Sequence, residues 1–215
     1  MRARVLVVAV LASWTLLTPG AARPGEDEVK NIIANGSFEL ETNRGIADGW
    51  YLSQYRGEWS EWATLGVPRY VKEKIGQDNM PVVTVDRTQA AHGDKCLKVV
   101  NPSAKLLRSP MQRYRPIEPG ATYTFSFYAK TDRPGLELRV EFTNLQTEHF
   151  TISDKWQRYT ATFVADEDYP LARVHLFFHS IRPGTFWLDA VQLERGEQVH
   201  PYAEHESTAQ RIGAQ

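Results

Sequence analysis

The chain has 215 residues, 42% hydrophobic and 11% aromatic, which is enough apolar material for a folded core and excludes a disordered chain. A formal charge of −1 supplies no long-range field, so neither nucleic acid nor an anionic membrane surface is expected as a partner. A neutral or mixed-charge partner fits better.

In chain order, the first feature is a hydrophobic N-terminus. Arg2 and Arg4 precede a short apolar run from Val5 to Leu17, and Gly20-Ala21-Ala22 offers small residues for cleavage. Residues 1–22 therefore read as a signal peptide, with an uncleaved anchor as the alternative, although the run falls short of the ~20 residues that span a bilayer. The expectation is a chain that is secreted, periplasmic or held in the cell envelope, with no membrane contact after cleavage. Residues 23–30 follow as a polar, flexible lead-in.

The stretch Asn35-Gly36-Ser37-Phe38-Glu39 then places a turn, an aromatic ring and a carboxylate just before Trp50-Tyr51. Its first three residues fit an N-glycosylation site, against a structural role at the start of a strand. From Tyr51 to Pro81, the aromatics Tyr55, Trp59, Trp62 and Tyr70 are interleaved with charges without a sustained period. This stretch reads as one strand plus long loops. Cys96 is the only cysteine, so no intrachain disulfide can form, and its apolar setting implies a buried, inert thiol.

Beyond Lys95 the dominant period is two. Tyr123, Phe125 and Phe127 alternate with Thr124, Ser126 and Tyr128, and Leu136, Leu138, Val140 and Phe142 alternate with Glu137, Arg139 and Glu141. Further strands are expected over Gln157 to Val164, Ala172 to His179 and Thr185 to Glu194, with Pro, Gly or Asp at the breaks. Short antiparallel strands at this spacing predict one all-β domain over residues 31–201, a two-sheet sandwich or jelly roll. Residues 202–215 read as a polar tail, frayed unless Ala203 to Ile212 forms a helix.

Several fragments taken together resemble a known family. "NGSFE" followed by "GW", then "AHGDKCLKV", "PGATYTFSFYAK", "WQRYTATF" and "GTFWLDAVQLERG" are similar, in order, to the recurring segments of carbohydrate-binding modules of families 4 and 9, which have a galactose-binding-like jelly roll. The resemblance implies a structural calcium ion with Glu39 and Asp189 as side-chain ligands and the carbonyls of Ser37, His92 and Lys95 beside them. A hard cation held by oxygens could close a sandwich that lacks a disulfide. The metal-free alternative has Glu39 capping a turn and Asp189 accepting backbone hydrogen bonds. The resemblance also implies core positions for Trp50, Trp156 and Trp187.

Sugar binding needs flat apolar faces beside planar polar groups. Two sets qualify: an outward strand set of Ser126, Tyr128, Arg139, Glu141, His175, Phe177 and His179, and a loop set of Tyr55, Trp59, Trp62 and Tyr70. For either set, an ordinary solvated face or loop packing is the competing explanation. His175 and His179 would lie ~13 Å apart on one strand, too far to share an ion. No nucleophile elbow, zinc-protease motif or phosphate loop is present; Glu137 and Glu141 share one outward face and form a paired-acid candidate for a glycosidase, against an ordinary solvent-facing role.

The expectation is a non-catalytic module binding a polysaccharide or glycan, acting beside glycoside hydrolases. The rival is a cell-envelope domain contacting a protein through residues 51–81. Tyr128, Arg139 and a loop tryptophan lining one groove would favour sugar; a flat apolar insertion would favour the protein partner.

Overall fold

Along Leu136–Phe142, the four apolar side chains are buried and the three charged ones between them are only half-buried. An alternation of that kind is satisfied only by a strand with one face on a core. The computed structural model describes residues 30–53, 81–102, 109–114, 117–142, 146–165, 174–180 and 182–214. Its strands are β1 (Tyr51–Ser53), β2 (Val82–Asp86), β3 (Cys96–Asn101), β4 (Ser109–Tyr114), β5 (Thr122–Thr131), β6 (Leu136–Phe142), β7 (Gln146–Ile152), β8 (Gln157–Val164), β9 (Val174–Ser180) and β10 (Gly184–Arg195). One helix, α1 (Glu206–Ile212), follows them.

All pairings between these strands are antiparallel, and they form two sheets. The first has the order β1-β4-β9-β6-β7 and the second β2-β3-β10-β5-β8. Phe125 and Phe127 of β5 meet Phe178 of β9 at ring separations of 6.1 and 5.2 Å, and Phe125 meets Phe142 of β6 edge-on at 4.9 Å. Aromatic contacts between strands of different sheets place the core between them. The expected all-β sandwich is therefore the observed architecture, and Cys96 is buried as expected.

The C-terminal residues depart from a frayed tail. The segment after β10 crosses the outer face of the second sheet, where Arg158 donates to the His200 carbonyl at 2.6 Å and Ala203 N–H donates to Gln192 at 2.8 Å. It then reaches the first loop, where Thr208, buried in α1, accepts from Asn35 N–H at 2.8 Å. The His200 ring bonds Glu194 of β10, and the Thr124 hydroxyl of β5 donates to the Gly196 carbonyl. Ser126, expected to face outward, is consequently fully buried, with Arg158 donating to its hydroxyl.

Trp50 is in the core, against Phe38 at 5.0 Å. Trp156 and Trp187 are not. Both are half-buried on the second sheet's outer side, where Trp187 Nε1 donates to Asp86 and the ammoniums of Lys98 and Lys130 lie over its ring. On β10, alternation points Phe186 and Leu188 inward and leaves Trp187 facing out.

Candidate functional site

Two places gather the residues expected to have a function. The first is where the chain's two ends meet. β10 pairs with β3 only as far as Leu188, because a bulge at Ala190, with φ at 47°, shifts its register. Beyond the bulge, its free edge bonds the N-terminal segment: Ile32 N–H donates to the Leu193 carbonyl at 2.8 Å, and Val191 N–H to the Gly36 carbonyl at 2.9 Å. The turn that follows is held by Asn35, whose side chain accepts from Leu40 N–H and donates to the carbonyls of Leu40 and Asp48.

This turn directs Glu39 at the loop before β3. Its Oε1 accepts from the N–H groups of Asp94 and Lys95, at 2.7 and 2.9 Å. Gly93, with φ at 69°, permits the approach, since a Cβ there would come within 2.3 Å of Glu39 Oε1. At the bulge, Asp189 accepts from Ala91 and His92 N–H through Oδ2, at 2.7 and 2.8 Å, and from Ala190 N–H through Oδ1. Asp189 has no exposed surface; burial pushes its pKa up to about 7, Glu39 adds to the rise, and the three N–H donors oppose it.

Among the described residues, neither carboxylate has an ion-pair partner. The Lys95 ammonium goes to the Glu39 carbonyl, and Arg87 pairs with Glu41. Glu39 and Asp189 thus converge on the 91–95 loop, but it is the N–H groups of His92 and Lys95, not their carbonyls, that face the two carboxylates, and the Ser37 hydroxyl bonds Glu204. Sequence reasoning missed Glu204 and Tyr202, whose hydroxyl also bonds Glu204, because nothing in a polar tail signals where it will dock. No cluster of three or more His, Cys, Asp or Glu suited to a metal occurs among the described residues, so this junction offers two side-chain carboxylates at most.

The second place is the outer face of the first sheet. Register sets Arg139 opposite His179 on one side and His149 on the other, and sets Glu141 opposite Phe177. Arg139 Nη2 donates to Glu141 Oε2 at 2.6 Å. Phe177 stacks on His179 with ring centroids 5.6 Å apart, and Glu137 bonds His149 at 2.6 Å. His179 is only 7% exposed although it points away from the core, and burial holds its pKa down at about 4, with Arg139 pushing the same way and Glu141 opposing. Among the described residues, neither of its buried ring nitrogens has a hydrogen-bond partner, nor does the buried Nε of Arg139.

Arg139, Glu141 and Phe177 therefore share one face as expected, and the β9 backbone puts His175 on the same strand, paired with Arg113. Tyr128 does not join them. It sits on β5 of the other sheet, under the guanidinium of Arg158, because inward-facing Phe127 and Ala129 turn it to that sheet's outer side. Tyr128 and Arg139 cannot line a common groove. Tyr55, Trp59, Trp62 and Tyr70, the His175 side chain, the signal peptide, and the 51–81 contact surface apart from its terminal residues all lie outside the described residues.

A family model described as a carbohydrate binding domain, CBM_4_9, matches residues 30–185. Among solved structures, a CBM4 is similar at a TM-score of 0.53 and 19% identity, over 76% of this chain and 99% of that one. A putative sugar binding protein from Bacteroides thetaiotaomicron has a TM-score of 0.53 and 14% identity, over 78% of this chain and 100% of that one. The Stig cyclase Fisc from Fischerella sp. TAU, solved with an indole compound, has a TM-score of 0.56 and 14% identity, over 80% and 100%. At such identities these likenesses show the fold alone. None of the curated proteins compared with the chain matches it.

Proposed function

The chain belongs to the CBM_4_9 family of carbohydrate binding domains, and from that premise we propose a non-catalytic module that binds a polysaccharide or glycan on the outer face of its first sheet. The observation that carries this reading is the Arg139–Glu141 pair beside the Phe177 ring. A planar guanidinium and a carboxylate, both part-exposed, offer donors and acceptors to sugar hydroxyls. The cyclase likeness leaves the fold open to chemistry. Here, however, the two acids on this face are each engaged, Glu141 by Arg139 and Glu137 by His149, which does not suit a glycosidase acid–nucleophile pair.

Affinity gel electrophoresis against soluble glucans, xylans and mannans tests the proposal. Retardation is expected on at least one polymer, with Arg139→Ala weakening it at least tenfold. No retardation on any of them would overturn the reading.

Calcium is part of the same proposal, held by Glu39 and Asp189, with main-chain carbonyls among Ser37, His92 and Lys95 and water completing the shell. The donor chemistry fits. Two carboxylates without an ion-pair partner, one of them fully buried, face the same loop, and hard oxygen donors suit calcium rather than zinc. The ion would neutralise these charges and hold the first segment, the 91–95 loop and β10 together. We place the protein outside the cytoplasm, on the strength of the charged, apolar and small-residue pattern of Met1 to Ala22.

A further inference from the structure

The outer side of the second sheet carries a row of cations and rings that the Arg139 face does not use. Register sets Lys98 of β3 beside Trp187 of β10, and Trp187 beside Lys130 of β5. Trp156, one residue before β8, continues the row, with the Lys130 ammonium 5.7 Å from its ring centroid. All four residues are partly exposed.

Two features set this row apart from scattered surface lysines. First, among the described residues, neither ammonium has a carboxylate partner. Both are held instead by the Trp187 ring, at 5.5 Å for Lys98 and 5.1 Å for Lys130. A ring positions an ammonium without cancelling its charge. The indole is itself pinned, since its Nε1 donates to Asp86 at 2.8 Å, and Asp86 also accepts from the Thr88 N–H and hydroxyl. Second, the C-terminal segment covers the other end of this face, where it bonds Arg158, Gln192 and Glu194. Among the described residues, none of its hydrogen bonds reaches the row. Arg158, with its guanidinium over Tyr128, adds a further positive charge two residues along β5 from Lys130.

We propose that Lys98, Lys130, Trp187 and Trp156 form a second site, for a carboxylated, uronate-bearing polysaccharide. It lies on the opposite side of the sandwich from Arg139 and Glu141, and stands or falls separately from that face. Charge complementarity selects the occupant. Each ammonium is a compact charge with three rotatable donors, suited to carboxylates met at varied angles along a flexible polymer. A uronate ring brings that carboxylate together with C–H surfaces that suit an indole, so one ligand uses both halves of the row. A polymer with a carboxylate on each ring engages both lysines at once, and the two contacts reinforce each other. Because the whole chain carries a formal charge of only −1, the attraction is local, and salt screens it.

The test is titration calorimetry of the full chain with polyglucuronate, its methyl ester and inorganic polyphosphate, at about 50 mM and about 500 mM sodium chloride. Polyglucuronate should bind at least tenfold more tightly than either of the others, and lose at least tenfold in the higher salt. Lys98→Gln and Lys130→Gln should each weaken it at least fivefold, with melting temperatures unchanged and retardation on neutral polymers as in wild type. Lys30→Ala, which removes an exposed lysine outside the row, should bind as wild type does. Equal binding of the methyl ester would show that charge is not read, and equal binding of polyphosphate that the rings are not; either overturns the site. An equal loss in Lys30→Ala, or no loss in the two glutamine variants, would make the binding non-specific and overturn it too. A chain that binds polyglucuronate but none of the neutral polymers overturns the Arg139 reading and leaves this one standing.

Discussion

Gly36→Ala should cost about 3–5 kcal/mol and lower the melting temperature by roughly 10 °C, although the substitution adds one methyl group. A Cβ at Gly36 would fall 2.1 Å from the Val191 carbonyl oxygen and 3.2 Å from the Tyr202 hydroxyl. A flexible side chain could swing away, but the Val191 oxygen is main chain, in the β10 bulge between Asp189 and Gln192, where Val191 N–H also bonds the first segment. The N-terminal segment would have to leave β10, breaking the bond from Val191 N–H to the Gly36 carbonyl and misplacing Glu39 three residues on. Gly135→Ala is the control. Gly135 has φ at 84° but nothing within 4 Å of its added Cβ, so only backbone strain of about 1 kcal/mol is expected. Thermal melts showing equal losses for the two variants would refute the close seating of the chain's ends.

How far the fold was legible follows from what alternation encodes. Leu136–Phe142 and Gln157–Val164 have the expected bounds, because each apolar residue must choose a face and period two is the pattern that sorts them. Gln146–Ile152 was not recognised: in Gln-Thr-Glu-His-Phe-Thr-Ile, polar residues fall on both faces of what proves to be an edge strand. Family position implies a core place for Trp187, yet its own neighbours Phe186 and Leu188, both buried, place it outward.

Tyr128 illustrates a different limit. Periodicity shows which side of a strand a residue occupies, but not which sheet the strand joins. Tyr128 and Arg139 both point away from the core, yet β5 and β6 belong to opposite sheets. His179 was legible as outward, and its burial was not, because burial depends on what packs over the face. The Glu39–Asp189 convergence was readable only through resemblance. The bulge that aims Asp189 at the 91–95 loop sits at Ala190, a residue that carries no sign of left-handed backbone.

That convergence leads to the second large effect. At a hundredfold excess over its dissociation constant, calcium should stabilise the chain by about 2.7 kcal/mol, raising the melting temperature by roughly 5–10 °C over a chelated sample. The effect is large because of what the ion replaces. Without it, the buried Asp189 carboxylate has Glu39 as a near neighbour of the same sign and only N–H dipoles for compensation. On the proposed calcium reading, a divalent cation would turn this repulsion into a clamp joining three segments distant in sequence, which only the folded state assembles. Magnesium, smaller and demanding near-ideal octahedral geometry, should give a much smaller rise. Glu39→Gln and Asp189→Asn each remove one ligand charge and should abolish most of the calcium increment, whatever they do to the metal-free melt. The increment, not the baseline, is the quantity to compare, because Asp189 also accepts three main-chain hydrogen bonds that asparagine would disturb. A wild-type melt unmoved by calcium would mean that backbone N–H groups alone hold the two acids, and that the loop before β3 closes the sandwich without a metal.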